Sequence, residues 1–300
     1  MYVVTGVTGN TGSVVAKRLL AAGKRVRGIG RTADHMQQLA HQGGEQFVAD
    51  LTNREALTEA FTGAEGVYVM IPPNPSGPDF RAHQDAVSES LASALEHAKV
   101  SFAVTLSSIG ADKMSGTGPV AGLHLMEERL NKIAGLNVLH LRAGYFMENT
   151  FAQVAPIQNL GMALGPLLPE LKLSMIATRD IGAAAADALL NLNFQSHQTR
   201  ELLGQRDITM SEVATIIGQV VGKPDIRYIQ ASDNDVRSAI TQMGMTPDLA
   251  GLILQMASAL NSGHMKALEA RTAENTTPTS YETFAQEEFL PYYQRNKIAA

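Results

Sequence analysis

The chain has 300 residues, no cysteine and a formal net charge of −5, with 45% apolar and 18% charged residues. The lack of cysteine excludes disulfides, thiolate catalysis and cysteine-based zinc sites, and it is typical of a reducing compartment. The negative charge argues against nucleic acid as the main partner, since neutralising phosphates requires a basic face. No apolar run approaches the roughly 18 residues of a membrane span. We therefore expect a cytoplasmic protein with no membrane segment and no leader before the first strand.

Short β-rich runs alternate with helical patterns through the first half of the chain. Strands that alternate with helices predict a parallel sheet, and right-handed crossovers make it doubly wound. Gly23 and Gly135 are expected to end two of the helices, and Thr52 with Glu55 predicts a capping box that opens the third. The six predicted strands are YVVTG, RVRGIG, EQFVAD, GVYVMI, FAVTLSS and NVLHLRAG, beginning at residues 2, 25, 45, 66, 102 and 137.

The rhythm changes beyond about residue 150, where helical patterns predominate. We expect an α/β core of the Rossmann type over residues 1–150 and a smaller, mostly helical part over residues 151–300. The segment around residues 175–195 is expected to pack back on the core. Further predicted features are a strand at LSMIAT, a helix from Asp180, and capping boxes at Thr209 with Glu212 and at Thr279 with Glu282.

One helix of the second part is well marked. Thr246 is its predicted cap, Pro247 occupies its first turn and Gly263 ends it. Its apolar residues share one stripe, which we interpret as part of the core rather than a ligand-binding wall. The stripe consists of Leu249, Leu252, Ile253, Met256 and Leu260.

Three glycines lie in the turn between the first strand and the first helix. Backbone N–H groups in such a turn can approach a pyrophosphate, which then lies at the positive helix N-terminus. The spacing is GxxGxxG rather than the standard GxGxxG, so the motif alone is weak evidence. The prediction of a dinucleotide site rests on the strand before the turn and the helix after it. A turn that merely joins strand to helix is the alternative. The predicted cofactor-binding residues of the turn are Gly6, Thr8, Gly9, Asn10, Thr11 and Gly12.

Charge indicates which dinucleotide is bound. An acidic residue about 20 positions after the glycines favours NAD, whereas an arginine there favours the 2′-phosphate of NADP. Arg31 stands just past the second strand, and the first acidic residue of the chain is Asp34. We predict that Arg31 binds the phosphate, with a solvated surface charge as the alternative. We interpret Lys17, Lys24 and Arg25 as solvated surface charges. The basic residues before Asp34 are Lys17, Arg18, Lys24, Arg25, Arg27 and Arg31.

The third strand ends at Asp50. Because Thr52 can cap the helix that follows, Asp50 is expected to be free to face the adenine pocket.

Several motifs in this order resemble the NmrA-like branch of the atypical short-chain dehydrogenases, which includes NADPH-dependent quinone and dye reductases and redox-sensing regulators. They are GVTGNTG, Arg31, VADL, IPP at 71–73, SSIGAD at 107–112, LRAGYFMEN at 141–149, RDIG at 179–182 and the closing PTSYETFAQE. The resemblance implies a Rossmann core, an NADP(H) site that includes Leu51, Ile71 and Pro72, and a substrate cleft at the carboxyl ends of the strands. Pro72 and Pro73 are interpreted either as a strand stop or as a rigid lip over the cofactor.

The chain departs from the main dehydrogenase line at one point. The resemblance places His124 and Glu128 where that line has the Tyr-x-x-x-Lys pair. His124 is a candidate proton donor or substrate contact, and a structural role is the alternative. Glu128 is expected to pair with Lys132 on the surface. Ser107 and Ser108, after the fifth strand, either contact nicotinamide or substrate or satisfy the strand end.

Tyr145, Phe146 and Asn149 follow the sixth strand, where a flat substrate would lie. We predict that they bind substrate, with core packing as the alternative for the aromatic pair. The eight histidines show no metal-ligand spacing, so no metal is expected.

The predicted function is NADPH-dependent transfer of hydride to a small planar acceptor such as a quinone. The alternative is a regulator that senses NADP(H) and binds a protein partner without turnover; sugar epimerisation or dehydration is weakened by the missing tyrosine. A homodimer is a further expectation.

Overall fold

A computed structural model describes residues 1–296 of the chain. The six predicted strands are all present and all parallel, which confirms the α/β doubly wound class. They are β1 (Tyr2–Thr5), β2 (Val26–Gly30), β3 (Glu45–Val48), β4 (Gly66–Val69), β5 (Phe102–Ser108) and β6 (Asn137–Ala143).

Helices connect these strands and cover both faces of the sheet. A 3₁₀ turn at Asp34–Met36 precedes the second of them. The helices are α1 (Asn10–Ala21), α2 (Gln37–His41), α3 (Arg54–Phe61), α4 (Phe80–His97) and α5 (Val120–Leu130).

The second half of the chain adds short strands and more helices, as expected. A 3₁₀ segment spans Met147–Gln153 and a π-helical turn spans Ala285–Phe289. The other elements are β7 (Tyr145–Phe146), α6 (Val154–Leu160), β8 (Ala163–Gly165), β9 (Leu173–Ile176), α7 (Thr178–Asn191), β10 (His197–Leu202), β11 (Asp207–Ile208), α8 (Met210–Val221), β12 (Tyr228–Gln230), α9 (Asp233–Gln242), α10 (Pro247–Asn261), α11 (Tyr281–Phe284) and α12 (Leu290–Arg295).

The central sheet has seven strands in the order β10-β6-β5-β4-β1-β2-β3. Its seventh strand, β10, was not predicted, because its sequence HQTREL is polar and half of it is exposed at the sheet edge. The strand order reverses between β1 and β4. In open parallel sheets, ligands bind in the crevice at the carboxyl ends of the strands at such a point.

The sheet is covered on one face by α1 and α7 and on the other by α3, α4 and α5. Val15 and Leu19 of α1 share a buried cluster with Ile181 and Leu189 of α7 and with strand residues such as Val4. The segment 175–195 thus contains a helix that contacts the first helix of the core. A second buried cluster joins α6, β9, α8 and the C-terminal helices α11 and α12.

Two predicted capping boxes are wrong. Asn53, not Thr52, caps α3 and accepts a hydrogen bond from the Ala56 N–H at 3.0 Å. Ser280, not Thr279, caps α11 and accepts from the Thr283 N–H at 3.0 Å. In both cases two adjacent residues can cap, and the other one is engaged elsewhere: Thr52 donates to the nearby Asp50, and Thr279 donates to Asp180, which is distant in sequence.

The remaining predicted boundaries differ less. The box at Thr209 with Glu212 and the cap at Thr246 are confirmed, and Gly263 lies just beyond the end of α10. The predicted strand LSMIAT is β9, while α7 begins at residue 178, before Asp180. Gly23 follows α1 closely, but α5 ends at residue 130, so Gly135 belongs to the loop before β6. No helix within residues 1–296 is long and apolar enough to cross a membrane.

Candidate functional site

The glycine turn brings the backbone into a tight loop at the end of β1. Gly6 has a φ of +60°, which favours glycine, and its carbonyl accepts a hydrogen bond from the Gly9 N–H at 2.9 Å. A Cβ at Gly12 would lie 2.3 Å from that carbonyl oxygen, so only glycine allows α1 to approach the strand. A Cβ at Gly9 would meet only the same oxygen, at 3.3 Å, and its side chain would project out of the turn.

The N-terminus of α1 has no side chain that competes for an anion. Gly9 is the helix cap without a side-chain bond, and the first turn holds no acidic residue. Thr8 and Asn10 are exposed beside it, whereas Thr11 is buried and accepts a hydrogen bond from the Tyr68 hydroxyl at 2.9 Å. Backbone N–H groups at a bare, glycine-lined helix start fit a pyrophosphate.

Arg31 is exposed directly after β2 and makes no hydrogen bond or ion pair within residues 1–296. Other basic residues of the same stretch are already engaged: Arg18 pairs with Asp187 and Arg27 with Glu45, each at 2.8 Å. A phosphate site at the end of β2 therefore depends on Arg31.

Asp50 is exposed, but its carboxylate is not free, which corrects the expectation. It accepts hydrogen bonds from the Thr52 hydroxyl at 2.7 Å and the Thr52 N–H at 2.8 Å. These bonds lower the pKa of Asp50, with smaller contributions from the nearby His83 and Arg31 charges. Leu51, which was predicted to contact the cofactor, is buried in the cluster that includes Leu57.

A cavity of about 760 Å³ opens at the carboxyl ends of β4, β5 and β6. Its volume suits a ligand of two or three rings. The structure brings predicted cofactor-binding and substrate-side residues together here, from three separate strand ends. They are Ile71, Pro72, Pro73, Ser107, Ser108, Tyr145, Phe146 and Asn149.

Helix α10 forms the opposite wall. Leu249, Ile253, Met256 and Leu260 of the predicted stripe line the cavity. The interpretation of the stripe as core alone is therefore wrong: Ile253, Met256 and Leu260 are partly exposed and line the cavity, while Leu249 is buried as well as part of the lining. The buried residues of α10 include Ala250, Leu254 and Ala257, which lie on a neighbouring face.

Ser107 stands at the floor of the cavity as part of a buried polar network. Its hydroxyl donates to Glu127 at 2.5 Å, and Arg142 donates to the two oxygens of the same carboxylate at 3.0 and 2.5 Å. Glu127 is 4% exposed. Ser107 and Arg142 are register partners on β5 and β6. Because its proton points to Glu127, Ser107 presents only lone pairs to the cavity.

Sequence reasoning missed Glu127 and Arg142. The Tyr-Lys pair of the main dehydrogenase line falls at positions 124 and 128, so that motif points one residue past Glu127. Arg142 did carry a signal, since it is the one Lys, Arg, Asp or Glu in the strand NVLHLRAG, whereas Glu127 stands beside Glu128 and Arg129 in HLMEERL and is not distinguished from them. Charged side chains that are buried are almost always paired with each other.

His124 does not line the cavity. Its Nδ1 lies 2.8 Å from the Ala111 carbonyl oxygen, and Val120 and Leu123 of the same helix face the cavity instead. This geometry supports the structural alternative. Glu128 is exposed, and the expected pair with Lys132 is not among the ion pairs formed within residues 1–296.

The phenol of Tyr145 is the one titratable group among the three predicted substrate contacts. Burial raises its pKa to about 12, and a hydrogen bond with Asn149 acts in the opposite direction. Tyr145 therefore stays protonated at neutral pH. Across residues 1–296, no three His, Asp or Glu side chains are grouped as metal ligands would be.

Comparisons with known proteins agree with this geometry. An NAD(P)H azoreductase from Xenophilus azovorans is 29% identical over 252 residues, which is 83% of this chain and 84% of that protein. The structure of an NADPH-dependent quinone oxidoreductase from Escherichia coli complexed with NADPH has a TM-score of 0.75 at 22% identity, covering 96% of this chain and 100% of that one. Citrobacter sp. triphenylmethane reductase complexed with NADP(H) gives 0.78 at 20% identity, covering 95% and 99%.

The family model described as the NmrA-like family matches residues 2–290. The match spans the glycine turn, the seven-stranded sheet and the α10 wall of the cavity. The resemblance seen in the motifs is thereby confirmed over nearly the whole chain, and the protein belongs to the NmrA-like family.

Proposed function

We propose that the protein is an NADPH-dependent oxidoreductase that reduces a small planar acceptor such as a quinone. The observation that carries the proposal is an apolar cavity of about 760 Å³ at the strand ends, beside a glycine turn with a bare helix N-terminus. The three relatives named above are reductases, and each name includes NADPH, NADP(H) or NAD(P)H. They support the same class of reaction for this chain.

The residues that would hold the cofactor lie along the switch point of the sheet. Gly6, Gly9 and Gly12 open the backbone to the pyrophosphate, and Arg31 provides a guanidinium for the 2′-phosphate. Ile71 and Pro72, after β4, line the cavity at the end of that strand. When bound, NADPH supplies the hydride.

The cavity residues orient the acceptor and exclude water, and none is arranged as a strong acid. Ser107 directs its proton to Glu127. The phenol of Tyr145, with a pKa of about 12, donates hydrogen bonds but does not ionise at neutral pH. Phe146 offers an aromatic face for a flat ring. A quinone suits this site because the hydroquinone anion left by hydride transfer needs only one proton, which it can take from water on release.

The test is to follow NADPH absorbance with a panel of quinones, azo dyes and aldehydes. Oxidation that requires one of these acceptors supports the proposal. Tight NADPH binding without oxidation for any acceptor would favour the alternative, a sensor that binds a protein partner. Light scattering of the same samples would test the expected homodimer.

Replacing Arg31 with alanine should weaken NADPH binding roughly tenfold or more, because a charge-assisted hydrogen bond contributes about 1.5 to 3 kcal/mol. NADH affinity should change little. Fluorescence titration of both cofactors measures the effect, and Arg25→Ala, which removes another exposed arginine, is the control. Equal affinities of the wild type for NADPH and NADH would contradict the role of Arg31.

Replacing His124 with alanine should lower kcat by no more than about threefold, since its ring contacts a backbone carbonyl outside the cavity. A positioned general acid would instead contribute about 10²- to 10⁴-fold. Steady-state rates across pH distinguish the two cases. A large loss of kcat, together with the disappearance of one limb of the pH profile, would restore the catalytic alternative.

A further inference from the structure

Two lysines stand at the mouth of the cavity without a partner. Lys172 directly precedes β9, and Lys266 lies in the loop after α10. Both line the cavity and both are exposed. Within residues 1–296, neither ammonium group makes an ion pair or a side-chain hydrogen bond.

Among the described residues, Asp207 is the one further charged side chain that lines the cavity. Its carboxylate is already occupied, because it accepts a hydrogen bond from the Ser174 hydroxyl at 2.9 Å and pairs with the Arg271 guanidinium. Asp207 therefore does not neutralise the lysines. The mouth of the cavity carries two uncompensated positive charges.

Most of the remaining wall is apolar. Side chains such as Leu123, Phe146, Ile253 and Met256 surround the interior. A ring system gains from burial in such a wall, whereas an ionised substituent there would lose its hydration. Low-dielectric walls also strengthen the field at the charged mouth. The arrangement thus fits a molecule with an aromatic body and an anionic end.

We propose that the acceptor carries an anionic substituent, a sulfonate, carboxylate or phosphate, that Lys172 and Lys266 bind at the mouth while the ring enters the cavity. This inference rests on the proposed reductase function and specifies its substrate class. Neutral acceptors of the same shape enter with lower affinity, and cationic acceptors are disfavoured.

The experiment compares an ortho-naphthoquinone with its monosulfonate. The ratio of the two kcat/KM values is measured in the wild type, in the double variant Lys172→Gln/Lys266→Gln and in Lys132→Gln. Lys132 is equally exposed but lies outside the cavity lining. The difference in redox potential between the two quinones is the same for every protein. It therefore cancels when the ratio in a variant is compared with the ratio in the wild type.

The ratio of sulfonate to neutral quinone should fall about three- to tenfold in the double variant, as expected for two exposed ion pairs. It should fall in the wild type with added salt, which screens exposed charges. The control should keep the wild-type ratio. An unchanged ratio in the double variant, or an equal fall in Lys132→Gln, would overturn the inference.

A binding measurement separates this inference from the reductase proposal. Fluorescence titration with a naphthalene sulfonate and with a neutral naphthalene alcohol gives the corresponding ratio of binding affinities without any turnover. If no acceptor of the panel described above is reduced, the proposed function fails. The binding ratio in the double variant then still decides whether the lysines recognise an anionic group.

Discussion

Replacing Gly9 with valine is expected to abolish NADPH binding while the protein stays folded. The backbone at Gly9 has φ −87° and ψ 172°, an extended conformation that valine adopts without strain. Its Cβ would meet only the Gly6 carbonyl oxygen, at 3.3 Å, and the methyl groups would occupy the space that a pyrophosphate must enter. We expect affinity to fall by more than about 100-fold, or roughly 2.7 kcal/mol.

Circular dichroism and fluorescence titration measure folding and binding in the same samples. Lys17→Val, on the exposed face of α1, is the control for a valine in this helix. Gly12→Val offers a contrast, because its Cβ would lie 2.3 Å from the Gly6 oxygen and the fold itself should be lost. A folded Gly9→Val protein that keeps its NADPH affinity would show that the turn is only structural.

Replacing Glu127 with glutamine is expected to lower the free energy of unfolding by about 3 to 5 kcal/mol, the usual cost of removing one partner from a buried ion pair. Arg142 would keep its charge without a counterion, although its side chain is only 14% exposed. Glu127 raises the pKa of Arg142 through their hydrogen bonds, and the variant loses this contribution. Arginine nevertheless keeps its proton in proteins, so the charge would remain. Urea unfolding measures the difference.

The neighbouring residue supplies a matched control. Glu128 is exposed on the same helix, so Glu128→Gln should change stability by less than about 0.5 kcal/mol. The double variant Glu127→Gln/Arg142→Gln should recover part of the loss, since it leaves no unpaired charge. Equal stabilities of the Glu127→Gln and Glu128→Gln proteins would contradict the role of the ion pair.

Local patterns predicted the strands, the glycine turn and the family, because each depends on residues close in sequence. The Ser107, Glu127 and Arg142 network depends on β5, α5 and β6 meeting in space, so its parts carried no shared local signal. The apolar stripe of α10 could likewise be predicted from the sequence, but the part of the molecule that the stripe faces could not. A stripe that covers a cavity and a stripe that covers a core have the same period.

The N-terminal cap of α11 shows how a tertiary contact decides which of two adjacent residues caps a helix. Thr279 donates its hydroxyl to Asp180 at 2.8 Å, and its N–H donates to the same carboxylate at 2.9 Å. Ser280 is then left to cap α11. Asp180 lies far away in sequence, so the pairing of Thr279 could not be read from residues near the helix.

The position of β10 and α7 has a consequence for how the chain folds during synthesis. The apolar face of α1 is covered by α7, and the exposed edge of β6 is paired only by β10, which ends at residue 202. Domains generally fold as units while the chain emerges from the ribosome. The first six strands therefore cannot form the complete sheet until β10 has been synthesised. A nascent chain of 150 residues would lack α7, whose Gly182 packs against Val14 of α1, and the nucleotide-binding half can be completed only after about two thirds of the protein has been made.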